Sequence, residues 1–291
     1  RGRSSGRVGR YHMGMKDDSA RCRAARAMVE TDAILGTPDV PFGRVGVPSI
    51  TIDQPEETDV AMESSTMARG GREIPRVGGP AGGPIGRGEP AIACSAIDGD
   101  SPRLKLEMLA KLHATQCVHC MASTAHRNIV FGEGSPEASL MFIGEVPGEQ
   151  EDLTGRPFVG PAGEKLDQMI TAMGYGRDDV YITNVLKTRP PENGTPRPEE
   201  TEACGHWLAS QIAIIRPRVL VTLGGPASQH LLGTDTGITR LRGSWGRYDV
   251  ETLEIPVMPT YHPAYVLRRY TPEVRAAVWN DLQLARDLAQ R

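Results

Sequence analysis

Leu140-Met141-Phe142-Ile143-Gly144-Glu145-Val146-Pro147-Gly148 is the stretch on which the reading of the fold turns. An apolar run too short for a buried helix ends on glycine and breaks at once into a Gly- and Pro-containing loop, which is how a strand buried on both faces of a parallel sheet reads. Working outward, Val180 to Asn184, Val219 to Leu223 and Val257 to Tyr261 repeat the pattern. Between them lie helical segments around Gly163 to Met173, Glu199 to Ile215 and Pro226 to Leu232, and Pro272 to Leu288 closes the chain. Strands alternating with helices imply parallel β/α units. The expected fold is α/β, a three-layer α/β/α sandwich around a central, mostly parallel four-stranded sheet.

Upstream, Ser101-Pro102 is a helix-start pair, and Leu104, Met108, Leu109 and Leu112 follow at helical spacing. Residues 101–291 are therefore expected to form one domain. Residues 1–100 have few aromatics, many Gly and Pro and no sustained apolar period, and are expected to be a disordered or low-complexity extension. Its charge is segregated: Arg1 to Glu30 carries eight Lys or Arg against three acids, while Thr31 to Glu63 carries seven acids against Arg44. A basic arm that touches phosphates is one reading of this; a solvated tail is the other.

The net charge of -3 excludes a protein that coats nucleic acid along its whole surface, but leaves room for a locally basic groove. The apolar runs are strand-sized and too short to cross a bilayer. No secretory leader pattern is visible, so the expectation is a soluble, cytoplasmic monomer whose cysteines are reduced. Those five cysteines, Cys22, Cys94, Cys117, Cys120 and Cys204, are then free thiols or metal ligands.

Open parallel sheets bind ligands beyond the carboxyl ends of their strands. After the first strand comes a glycine-rich loop running to Gly163, with Phe158 between glycine turns, in a chain that has only four Phe. The loop lacks the Lys-Ser/Thr of a phosphate-binding loop and the spacing of a dinucleotide fingerprint. Phe158 suits a stacking platform for a planar ring. Asn184 at the second strand end offers one acceptor and two donors to a base edge, and His262 after the last strand can stabilise a departing negative charge. Singly, each has a plain structural explanation. Together at strand ends, an aromatic face, an amide and an imidazole describe a pocket for a flipped nucleobase.

These residues carry a resemblance. Gly144-Glu145-x-Pro147-Gly148, Gly155-Arg156-Pro157-Phe158-Val159-Gly160-x-Ala162-Gly163, Asn184-x-x-Lys187-x-Arg189-Pro190-Pro191-x-Asn193 and His262-Pro263-Ala264 resemble the family 4, iron–sulfur-type uracil-DNA glycosylases. The likeness extends to Ile238-Thr239-Arg240-Leu241-Arg242-Gly243 and Trp279. It implies excision of uracil from DNA by hydrolysis of the N-glycosidic bond, with base flipping and no lyase step. Phe158 would stack on the uracil, Asn184 would bond its polar edge, His262 would donate to the oxygen beside the breaking bond, and the backbone of Gly144, Glu145 and Val146 would line the pocket. Glu151 falls where the family has an acid implicated in activity, which implies a water-positioning or cation-stabilising role. Val146 stands where distant relatives have a water-activating aspartate and where family 4 members usually have Ala or Gly, so catalysis leans on the leaving group and the pocket is narrowed. Leu267, Arg268 and Arg269 supply an apolar wedge and two phosphate-binding cations directly after the pocket histidine.

The resemblance also implies a [4Fe-4S] cluster held by four cysteines. Cys117, Cys120 and Cys204 stand at matching places, but Thr188 occupies the position of the fourth. Cys94 is a candidate replacement; the expectation is a labile, incomplete three-cysteine cluster, because a hydroxyl is a poor ligand for such iron. Two functional alternatives are weighed. A glycosylase relative captures DNA covalently through a histidine in the loop after the second strand, and Leu186 to Glu200 contains no histidine. A catalytically idle nucleic-acid-binding module of the same fold is the other.

Overall fold

The computed structural model of the chain describes residues 83–123 and 126–291. The charge-segregated tail reading, up to residue 82, and Cys22 lie outside the described residues. In chain order the elements are β1 (Ile85–Gly88), α1 (Pro102–Gln116), α2 (Val118–Ala122), β2 (Glu133–Gly134), β3 (Leu140–Gly144), α3 (Glu149–Thr154), α4 (Pro161–Ala172) and β4 (Tyr181–Asn184). They continue with α5 (Pro198–Ile215), β5 (Val219–Leu223), α6 (Gly225–Leu232), α7 (Ile238–Leu241), β6 (Gly246–Val250), β7 (Leu253–Thr260), α8 (Pro263–Arg268) and α9 (Pro272–Ala289).

The four strands expected from sequence are neighbours in one sheet, β7-β5-β3-β4, each pair parallel. Strands at the edges extend the sheet to seven, in the order β1-β6-β7-β5-β3-β4-β2. β6 joins β7 as an antiparallel hairpin, β2 runs antiparallel on β4, and β1 runs parallel to β6. Alternate residues of β3 serve opposite faces: Met141 and Ile143 join the core under α1, α5 and α6, and Leu140 and Phe142 join the core under α4 and α9. That is the three-layer sandwich. Each fully buried Leu, Ile or Phe along it contributes about 1.5–3 kcal/mol.

Helix starts follow local chemistry. Ser101 caps α1 by accepting from the Leu104 amide at 3.4 Å with Pro102 next to it, and Thr271 caps α9 in the same way. The segment just before α1 departs from the sequence expectation. Part of the stretch assigned to the extension is laced onto the domain: β1 pairs with Arg247–Val250, Ile97 is buried, and Ile92 exchanges hydrogen bonds with the Ser210 hydroxyl at 3.1 and 3.2 Å. Its glycines are a packing requirement, since a Cβ on Gly86 would sit 1.7 Å from the Leu231 carbonyl oxygen and one on Gly88 1.8 Å from the Tyr248 hydroxyl. No helix among the described residues is long and apolar enough to cross a membrane.

Candidate active site

Chain order places β4 on one side of β3 and β5 and β7 on the other, so a crevice opens at the carboxyl end of β3. The expected pocket residues meet there. Gly144 ends β3 and Asn184 ends β4 in register beside it. A Cβ on Gly144 would lie 2.3 Å from Asn184 Oδ1 and 2.5 Å from Phe158 Cζ, so only glycine lets the amide and the ring approach this closely. Phe158 holds a left-handed backbone, φ 52°, and its ring centroid is 5.8 Å from that of His262 at an interplanar angle of 32°. Asn184 is 1% exposed, and its Oδ1 is buried without a hydrogen-bond partner among the described residues. A buried amide oxygen left unpaired costs about 1–3 kcal/mol, which a ligand N–H removes.

His262 follows β7 and serves as the N-cap of α8: the Ala264 amide donates to its Nδ1 at 3.1 Å. Accepting at Nδ1 fixes the tautomer with the proton on Nε2, which leaves an N–H donor for the crevice. Burial, and secondarily the Arg268 guanidinium, push the His262 imidazole down to about 4, so it is neutral near pH 7. After β3, Glu145 is half-buried and its carboxyl is pushed up by burial. Val146 is partly buried and packs into the α1–α5 side of the core.

Glu151 is engaged by backbone amides. Its Oε2 accepts from the Gly148 amide at 3.1 Å, and its Oε1 accepts from the Val159 and Gly160 amides at 2.8 and 3.0 Å. It thus ties the start of α3 to the loop that carries Phe158. Three backbone bonds occupy most of a carboxylate's acceptor capacity.

On the α1–α5 face, Cys117 and Cys120 meet Cys204 of α5. Cys117 Sγ is 3.9 Å and Cys120 Sγ 3.7 Å from Cys204 Sγ. A histidine completes the group: the metal-binding atoms of His113, Cys117, Cys120 and Cys204, all buried, lie within 4.8 Å of one another. Hydrogen bonds from Cys120 and Cys204 hold Cys117 far below an ordinary thiol, and hydrogen bonding with Cys117, together with burial, pushes Cys204 up to about 12 and Cys120 up strongly. Three sulfurs so arranged become thiolates together only around a cation. Thr188, at the expected fourth position, lies 4.0 Å from Cys120 Sγ, and its hydroxyl is 3.2 Å from His119 Nε2. Cys94 is outside the group, held beside Lys105 with Nζ to Sγ at 3.8 Å.

Residues 131–283 match the family model described as the uracil DNA glycosylase superfamily. The chain belongs to the uracil DNA glycosylase superfamily. A type-4 uracil-DNA glycosylase of Thermotoga maritima is 41% identical over 191 residues, which is 65% of this chain and 97% of the relative. One of Sulfurisphaera tokodaii is 44% identical over 184 residues, 62% of this chain and 83% of the relative. A type-5 uracil-DNA glycosylase of Thermus thermophilus is more distant, at 35% identity over 116 residues, 35% of this chain and 52% of the relative.

In this glycosylase-superfamily chain, the positions expected to contact DNA lie on and just after α8, next to His262. Leu267 is 42% exposed, and Arg268 and Arg269 are exposed. The surface continues onto residues that sequence reading did not single out: the Tyr270 ring lies between Lys165 Nζ, 5.1 Å from its centroid, and Arg275, at 5.0 Å. Two buried braces were also missed. Arg242 and Thr260 both bond Asp281, at 2.5–3.0 Å, fixing the end of β7 just before His262. Lys187, fully buried, donates to Asn184 O, Thr183 Oγ1 and Gln211 Oε1 at 2.6–2.7 Å. The signal for both was a charged residue inside an apolar context, which demands a partner when buried.

Proposed function

We propose that this chain removes uracil from DNA by hydrolysing the N-glycosidic bond, and that Phe158, Asn184 and His262 form its base pocket. The observation that carries the reading is the buried, unpartnered Asn184 Oδ1 facing the same glycine as the Phe158 ring, beside a histidine with a free Nε2–H. Uracil presents a donor at N3 and an acceptor at O4, which the amide oxygen and nitrogen of Asn184 match. Cytosine presents the reverse pattern and leaves both amide atoms mispaired.

The flipped base stacks on Phe158, while the Gly144, Glu145 and Val146 backbone closes one side of the slot. His262, neutral and with its proton on Nε2, donates to uracil O2 as the C1′–N1 bond breaks and its electron pair moves onto the base. Water adds to the cationic C1′ and its surplus proton passes to the base or to solvent. An electrostatic donor of this kind contributes about 10²–10³-fold. Glu151 acts here as a positioning residue, holding the Phe158 loop through its three amide contacts, in place of the water-positioning role expected from sequence. Leu267 fills the gap left by the flipped base, and Arg268 and Arg269 hold phosphates. The partner is uracil-containing DNA, and the chain acts as a monomer.

The donor set at Cys117, Cys120, Cys204 and His113, buried and thiolate-rich, suits an iron–sulfur centre, and we assign a [4Fe-4S] cluster to it. When bound, that group cross-links α1, α2 and α5 behind the pocket and supplies no step of the hydrolysis. The domain is proposed to comprise residues from 83 onward, with the extension before it.

Incubation with DNA carrying a single uracil, followed by heating in alkali, tests the reading. Cleavage at uracil that is lost in His262→Ala is expected; binding without cleavage in the unaltered chain makes it an idle module and overturns the proposal.

A further inference from the structure

His113 was not singled out by motif, yet it is the residue whose surroundings are hardest to explain by packing alone. It lies four residues before Cys117 on α1, a spacing that puts both on one helical face, and it is completely buried. Its ring is edge-on to Trp207, centroids 5.2 Å apart, and tilted against Phe131 at 5.4 Å. Nδ1 has no hydrogen-bond partner among the described residues, and Nε2 points at sulfur, 3.4 Å from Cys120 Sγ. A buried imidazole costs several kcal/mol unless a polar partner compensates it. Among the described residues, the only hydrogen-bond partner is the cysteine group. Thr188 does not compete, because its hydroxyl faces His119 and is a weak donor to a thiolate-type centre.

We propose that His113 is the fourth protein ligand of the centre at Cys117, Cys120 and Cys204, making it a Cys3His site in which a helix residue replaces the loop residue that Thr188 cannot supply. This rests on the assignment of a metal centre made above and adds the identity of its fourth ligand. The ligand chemistry is shared by two occupants. Three of the donor separations are 3.4–3.9 Å and all lie within 4.8 Å, close to the edge of a tetrahedron around one zinc ion, about 3.8 Å for bonds of about 2.3 Å, so zinc is a distinct arm of the test. In a cluster, replacing one thiolate by neutral imidazole removes a negative charge and raises the reduction potential.

The full chain and its His113→Ala, His113→Cys, Thr188→Ala and Cys94→Ser variants are purified without oxygen and assayed for iron, acid-labile sulfide and zinc. Reduced samples are examined by pulsed electron paramagnetic resonance for nitrogen coupling. Expected are iron and sulfide in the unaltered chain with a strongly coupled nitrogen, at least a severalfold loss of metal in His113→Ala, and no change in Thr188→Ala or Cys94→Ser. His113→Cys keeps its metal and loses the nitrogen signal with a lowered potential, which keeps the test decisive if the alanine variant folds poorly. Iron and sulfide retained in His113→Ala, with no nitrogen coupling in the unaltered chain, overturns the ligand assignment and leaves the cluster standing. Zinc without sulfide, lost in His113→Ala, supports His113 and overturns the cluster; no metal in the unaltered chain overturns both.

Discussion

Replacing Gly144 by alanine tests the pocket at its tightest point. The added methyl would stand 2.3 Å from Asn184 Oδ1 and 2.5 Å from Phe158 Cζ, against ordinary carbon contacts of about 3.5–4.0 Å. Either the amide and the ring each retreat by about 1 Å or the β3 backbone does. Asn184 has little room to yield, because Lys187 holds its carbonyl at 2.7 Å and the residue is 1% exposed. Phe158 is pinned from behind: a Cβ on Gly163 would clash at 1.9 Å with its carbonyl oxygen, so that backbone is already in close contact. A misplacement of about 1 Å at a reacting centre costs about 10²-fold in rate, and overpacking costs about 1–3 kcal/mol of stability. Gly144→Ala should therefore lower single-turnover excision from a uracil-containing duplex by about two orders of magnitude, and lower the melting temperature by a few degrees to about 10 °C. Gly237→Ala is the control, since nothing lies within 4 Å of its Cβ. Excision by Gly144→Ala within about threefold of the unaltered chain would falsify the claim that Asn184 and Phe158 act from their observed positions.

Asn184→Ala and Phe158→Ala should each reduce excision by about 10²-fold or more, and circular dichroism should show the folded spectrum retained. The His262 value of about 4 lies below the ordinary 6.5, so the unfolded chain binds more protons between those values; stability from this group is present above 6.5 and lost as pH falls to 4, by at most about 3 kcal/mol. The corresponding rate profile should be level through pH 6.5 and fall only toward 4, and an inflection near 6.5 in single-turnover rates counts against the neutral histidine. Arg268→Ala and Arg269→Ala should weaken binding to any DNA sequence and each reduce the salt dependence of affinity by about one unit of slope, measured by fluorescence anisotropy. Truncation to residue 83 should leave the melting temperature unchanged, whereas truncation to Ser101 strips β1 from the edge of β6 and should lower it by several degrees.

What the sequence revealed depended on how local the determinant was. The four parallel strands announced themselves because each is buried on both faces and must be apolar throughout, and the pocket residues followed because they stand where those runs end. The β6–β7 hairpin did not. Gly246–Val250 buries only Gly246, Tyr248 and Val250, and its turn at Glu251, φ 50°, carries none of the Asn-Gly or Asp-Gly chemistry that marks tight hairpins. β1 was hidden by its glycines, which look like a linker in one dimension and prove necessary only when the Leu231 carbonyl and Tyr248 hydroxyl are seen against them. For Glu151 the position was legible and the contacts were not, since its carboxylate takes up the amides of Gly148, Val159 and Gly160 only once the loop has folded back on α3. His113 carried no motif signal, although a histidine four residues before a C-x-x-C pair lies at the spacing that brings it beside the first cysteine.

The buried sulfur group and the base pocket are joined through one side chain. Lys187 directly precedes Thr188, and its ammonium reaches back to the carbonyl of Asn184, whose side chain is the proposed reader of the base. Burial holds Lys187 down at about 7, even with the negative charge of Cys204, Cys120 and Cys117 offsetting part of the shift. Three acceptors at 2.6–2.7 Å match the three protons of an ammonium, where a neutral amine has only two to give. The charged form is therefore the one that satisfies every bond, and thiolates nearby would favour it. Thiolate character in turn depends on a bound cation. On the proposed assignment, a metal centre that takes no part in the hydrolysis would still bear on it, by favouring the charged form of the lysine that bonds the end of β4, and the proposed fourth ligand from α1 would preserve that arrangement where the loop offers only a threonine.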